Sequence, residues 1–162
     1  LDNSTLNIEA VELVGATPSQ YLKTTQLVVV APGATGDNNI ELPIGNKIVC
    51  VQIRMTTFPG ASSHTYGVDV AKILVDNKEF GYSAARAQCL TGDMIFRVCN
   101  QPGDIAAQGE IQPDNIVWLD YDPNGDGQWL LETAGKSSVK IRMTMGVNEA
   151  TTLTIAELVA VS

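Results

Sequence analysis

The chain is short of the groups that do chemistry. Its 162 residues include one histidine, His64, set in the polar stretch Ala61-Ser62-Ser63-His64-Thr65. No paired carboxylates flank it at metal-ligand spacing, and no G-x-S-x-G elbow occurs anywhere, so neither a metal centre nor a nucleophilic triad is legible. His64 therefore reads as an exposed loop residue. No glycine-rich loop follows a strand and opens a helix; the glycines sit in turns, which excludes a nucleotide-phosphate cradle. The expectation is a protein that is not an enzyme, with no catalytic residue and no cofactor except a candidate calcium ion.

Positive charge is also scarce. Ten Lys and Arg stand against 18 Asp and Glu, a net charge of −8, and the basic residues are scattered. Holding phosphates requires clustered cations, so direct nucleic-acid binding and docking on an anionic membrane are not expected. No apolar stretch approaches the ~20 residues that span a bilayer. No signal-peptide pattern is legible at Leu1, which leaves secretion open. The three cysteines, Cys50, Cys89 and Cys99, are odd in number and fit no zinc spacing; buried free thiols explain them best. Helix signals are confined to Ser83–Leu90, where Ala, Arg, Gln and Leu follow a capping serine for about two turns.

Strand signals fill the rest. Lys47–Phe58 alternates Val49, Val51, Ile53 and Met55 with Cys50, Gln52, Arg54 and Thr56, a period of two. Ser138–Val147 repeats the device, with Val139, Ile141, Met143 and Met145 on one face and Lys140, Arg142 and Thr144 on the other. Leu6–Val14, Tyr66–Val75 and Leu153–Val161 are strand-like but change phase. In the last, Glu157 shares a face with Leu153 and Ile155 and needs either a bulge to turn it out or a partner. Gln26–Val30 has the form of a buried strand, and Met94–Cys99, Asn115–Tyr121 and Gln128–Glu132 complete the set. Turn chemistry marks the loops Ala31–Asn39, Phe58–Gly60, Gln101–Asp104 and Asp122–Gly127.

Hydrophobic residues make up 44% and charged residues 17%, enough apolar content for a packed core and too little charge for disorder. The expectation is an all-β, two-sheet antiparallel sandwich over residues 1–162 as one domain, with at most one short helix. A jelly roll is preferred because its loops cross between sheets and vary in length as these do; an immunoglobulin-like sandwich is the rival. Mean hydropathy is +0.06, a value that favours some surface being covered by other subunits.

One local motif stands out. Asp122-Pro123-Asn124-Gly125-Asp126-Gly127 matches the first half of a calcium loop, D-x-[DN]-x-[DN]-G, with Asp122, Asn124 and Asp126 as ligands. The bidentate glutamate should stand at residue 133, which is Thr133, and a glycine-rich hairpin turn explains the same residues. Trp118, Tyr121 and Trp129 lie close by in sequence and offer an aromatic binding surface, or core and interface anchors.

Taken together, these strands and loops resemble the single jelly-roll capsid proteins of icosahedral viruses, including those of tailless double-stranded DNA viruses. The likeness is one of organisation over most of the chain; no motif carries it and no functional residue is transferred. It implies a structural virion protein, a small capsid or capsid-decorating subunit located in the virion. Such a subunit self-assembles as a homo-oligomer through β-sandwich surfaces, with copies of itself and other shell proteins as partners. The first residues, Leu1-Asp2-Asn3-Ser4, carry no basic arm, so the genome is not gripped electrostatically. The competing expectation is a secreted, extracellular carbohydrate-binding sandwich, with the aromatics stacked on sugar rings and the Asp122–Gly127 loop holding structural calcium.

Overall fold

The computed structural model describes residues 15, 17–29, 35–55, 67–86 and 116–161. They form nine strands: β1 Gln20–Val29, β2 Gly36–Glu41, β3 Lys47–Arg54, β4 Val68–Val75, β5 Lys78–Arg86, β6 Ile116–Asp120, β7 Leu131–Glu132, β8 Val139–Met145 and β9 Thr151–Ala160. His64, Cys89, Cys99 and the strand expectations at 6–14 and 94–99 lie outside the described residues. Among the described residues there is no helix.

The strands assemble into two antiparallel sheets. Sheet A has the order β1-β9-β3-β6, with β7 also on β3; sheet B has the order β2-β8-β4-β5. The chain passes between layers at β1–β2, β2–β3, β3–β4, β5–β6, β7–β8 and β8–β9, the interleaving that defines a jelly roll. Alternation drives the packing. In β8, Val139, Ile141, Met143 and Met145 are all buried while Lys140, Arg142 and Thr144 are not. Val51, Ile53, Leu119, Leu153 and Ile155 of sheet A join Ile73, Ile141 and Met143 of sheet B in one continuous cluster. Burial of apolar area of this kind is the main term holding two sheets face to face.

Several sequence expectations are corrected. Ser83–Arg86, read as the start of a helix, is the end of β5, where Ala85 pairs with Ala71 and Arg86 with Val70. Local helix preference is worth tenths of a kcal/mol per residue and yields to a sheet ladder. Gln26–Val30 was expected to be buried, yet Gln26–Val29 ends the longer β1, where Val28 is 70% exposed. In β3 the ladder to β9 slips between Ile48 and Cys50. The bulge leaves Ile48 buried and Val49 half-buried, although the simple alternation placed Val49 in the core. The phase shift expected near Ala71 is present as ladder irregularities between Val68 and Val70 and between Ala71 and Ile73.

The β4–β5 turn shows how sequence fixes an end of the sandwich. Asp76 and Asn77 have φ of 49° and 65°, the left-handed pair that a two-residue hairpin needs and that Asp and Asn tolerate. The Asp76 carboxylate accepts bonds from Ser137 N at 2.9 Å, Ser137 Oγ at 2.7 Å and Ser138 N at 3.2 Å. The Ser137 side-chain bond, then its backbone bond, hold the Asp76 carboxyl below the usual carboxylate value. A lowered folded pKa means the stabilisation is complete above the unfolded carboxylate pKa, about 4, and is lost as pH falls below it. Comparing thermal midpoints of the native chain and Asp76→Asn across acid pH should show a gap that is constant near neutrality and closes as the solution is acidified past that value.

Candidate functional site

The outer faces of the two sheets differ in chemistry. On sheet B the outward side chains are knitted into cross-strand polar pairs. Lys140 Nζ meets Glu41 at 3.1 Å and Lys72 Nζ meets Glu79 at 2.6 Å. Arg142 Nε donates to Asn39 Oδ1 at 2.7 Å and Thr144 Oγ1 to Asp37 Oδ1 at 2.7 Å. Each contact joins residues in register or neighbouring register across the sheet. Such pairs are individually weak in water, about 0–1 kcal/mol, but together they make a wetted, charge-saturated wall.

Sheet A presents the opposite surface. Register and alternation place Leu22, Thr24, Gln26 and Val28 of β1 beside Leu158, Ala156, Thr154 and Thr152 of β9. The same rows continue into Cys50 and Gln52 of β3 and Trp118 of β6. The centre of this area holds no charged side chain; Arg54, Asp120 and the Lys47–Glu132 ion pair beside Leu158 stand at its margins. Leu22 and Val28 are 58% and 70% exposed. On a chain of net charge −8, an uncharged centre to a sheet face is the region most easily dehydrated against a neighbour.

Cys50 lies in this face and is a free thiol. Burial, followed by the charge of Asp120, pushes its pKa up, against a smaller opposing effect of a hydrogen bond with the Ala156 backbone. It is held as a neutral thiol, the state least able to act as a nucleophile.

The aromatic and acidic candidates sit on an interruption of one edge. β6 pairs with β3 from Arg54 to Cys50, Tyr121 N donates to Val49 O at 2.9 Å, and β7 resumes on Ile48 and Lys47. Residues 122–130 are therefore an excursion from one ladder, not the tip of a β6–β7 hairpin as the turn chemistry implied. Its carboxylates bind backbone: Asp122 Oδ1 accepts from Gly127 N at 2.8 Å, Asp126 Oδ1 from Gln128 N at 3.0 Å, and Asp120 Oδ1 from Asp122 N at 2.9 Å. Gly125 and Gly127 have φ of 68° and 70°, which lets the backbone curl around these oxygens. Among the described residues no group of three His, Cys, Asp or Glu side chains is placed to hold a metal ion.

The three aromatics do not form one platform. Tyr121 is 4% exposed and belongs to the core, its ring 6.1 Å from that of Phe80. It is thereby removed from the aromatic surface expected of it, because alternation puts Val117, Leu119 and Tyr121 on the core side and Trp118 on the other. Trp118 is half-buried on the outer face of β6, with its Nε1 buried and lacking a hydrogen-bond partner among the described residues. Trp129 is 65% exposed on the excursion. Sequence reasoning missed the polar pairs of sheet B because three of the four draw one member from β2, whose Gly36-Asp37-Asn38-Asn39 reads as loop.

Two other features stand apart from the sheet faces. An open depression of about 360 Å³ lies by the β4–β5 turn, lined by Val75, Asp76, Lys78, Glu79, Phe80 and Lys136; both of its carboxylates are already engaged, Asp76 by Ser137 and Ser138 and Glu79 by Lys72. Glu157 is buried at 1% exposure on β9. Its oxygens accept from Asn46 Nδ2 at 3.1 Å and Thr25 Oγ1 at 3.3 Å, and lie 3.6 Å from Lys23 Nζ. The glutamate thus takes the partnered alternative and braces the end of the sandwich. No helix among the described residues is long and apolar enough to cross a membrane.

No protein-family model and no curated protein matches the sequence. Solved structures do match in shape. The major capsid protein P2 of bacteriophage PM2 aligns with a TM-score of 0.63 at 15% identity, over 93% of this chain and 48% of that one. The STIV major capsid protein aligns with a TM-score of 0.56 at 9% identity, over 87% of this chain and 41% of that one. The Faustovirus major capsid protein aligns with a TM-score of 0.55 at 9% identity, over 88% and 33%. The chain spans about half the length of these neighbours or less, and the likeness is one of fold.

Proposed function

We propose that this chain is a structural subunit of a viral shell, a capsid or capsid-decorating protein of the virion that acts by association rather than by catalysis. The observation that carries the reading is the two-sheet fold, which aligns over 93% of the chain with a viral major capsid protein at a TM-score of 0.63. Three features support it. The described residues bring no set of reactive groups together. The centre of the outer face of sheet A is uncharged, and the face exposes Leu22 and Val28. The polar wall of sheet B orients the subunit by staying wet. Copies of the chain, with other shell proteins, would bury the sheet A face in modest contacts whose number gives the shell its stability.

The test is direct. Light scattering and electron microscopy of the purified full chain, alone and mixed with co-purifying shell proteins, should show large ordered assemblies. A strictly monomeric species under every shell-forming condition tried would end the reading.

A further inference from the structure

The excursion at residues 122–130 carries a chemical hazard. Asn-Gly and Asp-Gly each occur once in the sequence, and both stand here, at Asn124-Gly125 and Asp126-Gly127. In either pair the glycine nitrogen can attack the side-chain carbonyl carbon that precedes it, and glycine, having no side chain, hinders that attack least. At Asn124 the new N–C bond displaces ammonia. At Asp126, from the protonated carboxyl, it displaces water. Each closure leaves a succinimide ring. Water then opens the ring at either carbonyl, giving aspartate or isoaspartate, and no other reactant is needed. The fold holds on to the glycines, because their φ values of 68° and 70° are ones that side chains disfavour. All four residues are exposed, so water reaches them.

Both attacking nitrogens are nevertheless occupied, and by one residue. Gly125 N donates to Asp122 O at 3.0 Å, and Gly127 N donates to Asp122 Oδ1 at 2.8 Å. Asp122 is itself anchored where β6 ends, its N–H donating to Asp120 Oδ1 at 2.9 Å. Its own carboxyl has no such nitrogen to react with, since the next residue is Pro123, which lacks an N–H. A nitrogen must shed its proton to attack. Where a carboxylate holds that proton, a charge-assisted bond must break first, and the charge growing on nitrogen would face one of like sign. The Asp126 carboxylate is engaged as well, accepting from Gln128 N at 3.0 Å.

We propose that Asp122 is a protecting residue: its main-chain and side-chain oxygens hold the Gly125 and Gly127 amides away from succinimide formation at Asn124 and Asp126. The acidic loop is then a preservation device for the excursion. This holds whether or not the chain builds a shell.

Ageing the purified full chain near neutral pH tests this. Products are counted by mass-spectrometric peptide mapping and by isoaspartyl methyltransferase labelling, and each variant is aged well below its own thermal midpoint. In the folded chain both sites should convert roughly tenfold more slowly, or better, than in the same chain held in urea. Asp122→Ala should raise isoaspartate at Asp126 about tenfold, through loss of one charge-assisted bond. Asp122→Asn keeps an acceptor without the charge and should raise it less; it carries the test if the alanine variant does not fold. Pro123→Ala leaves the carboxylate in place and loosens the turn. It should raise conversion of Asn124 about two- to fivefold and leave Asp126 near its native rate. Folded chain converting as fast as chain in urea at either site would overturn the proposal. So would a native rate at Asp126 in the Asp122 variants, or a native rate at Asn124 in Pro123→Ala.

Discussion

Replacing Ile141 with alanine is expected to remove stability towards the upper end of the roughly 2–5 kcal/mol that buried Ile→Ala changes cost. The argument is positional. Ile141 is at the centre of β8, paired with Ile40 on one side and Ile73 on the other. It has no solvent exposure, and its face looks across to Ile53, Leu153 and Ile155 of sheet A within the same cluster. Alanine there leaves a void walled by β-branched side chains that are stiff at χ1 and relax poorly. Denaturant unfolding should show a lower midpoint with an unchanged slope. Ile141→Val, losing one methyl group, should cost only about 0.5–1.5 kcal/mol. A loss for alanine no larger than that for valine would mean the two sheets do not meet at this row.

The second large effect is expected at Glu157. Glu157→Ala should cost about 2–4 kcal/mol, because it strips Asn46 Nδ2 and Thr25 Oγ1 of a shared acceptor in a dry site. The damage should extend beyond the side chain. Asn46 also passes its carbonyl to the fully buried Thr133, whose Oγ1 accepts from Gly45 N at 2.9 Å. The β2–β3 connection, the start of β8's approach and the end of β9 are thus tied at one corner. Lys23→Ala should cost under about 1 kcal/mol, since Lys23 is half in water and contributes through a screened contact. Equal losses at the two positions, measured by urea titration, would contradict the assignment of the energy to the desolvated hydrogen bonds.

How much of this was legible depended on how locally each element is specified. β3 and β8 announce themselves because one face must be apolar and the other polar, and the period survives in the text of the sequence. β2 and β5 do not. Gly36-Asp37-Asn38-Asn39 has the composition of a loop, and becomes a strand because Asp37, Asn39 and Glu41 find Thr144, Arg142 and Lys140 across the ladder. Ser83-Ala84-Ala85-Arg86 has the composition of a helix and is overruled by β4. Partners so distant along the chain leave no trace in a local window. The same reason hid the excursion at 122–130: both of its flanks answer to β3, some 70 residues earlier, so the turn residues were read correctly as turn formers and incorrectly as a hairpin. The candidate site followed suit. The outward Arg and Lys residues were visible, whereas the uncharged centre of the sheet A face emerges only when β1, β9, β3 and β6 are laid side by side.

The interrupted edge also bears on what the protein can carry. Because β6 and β7 each close on β3 independently, chain added between Asn124 and Gly125 lengthens a solvent loop and leaves both ladders in place. Doubling such a loop costs only about 0.6 kcal/mol. A foreign epitope or tag spliced there would ride outside the sandwich, clear of both ladders, and the proposed shell would display one copy of it per subunit.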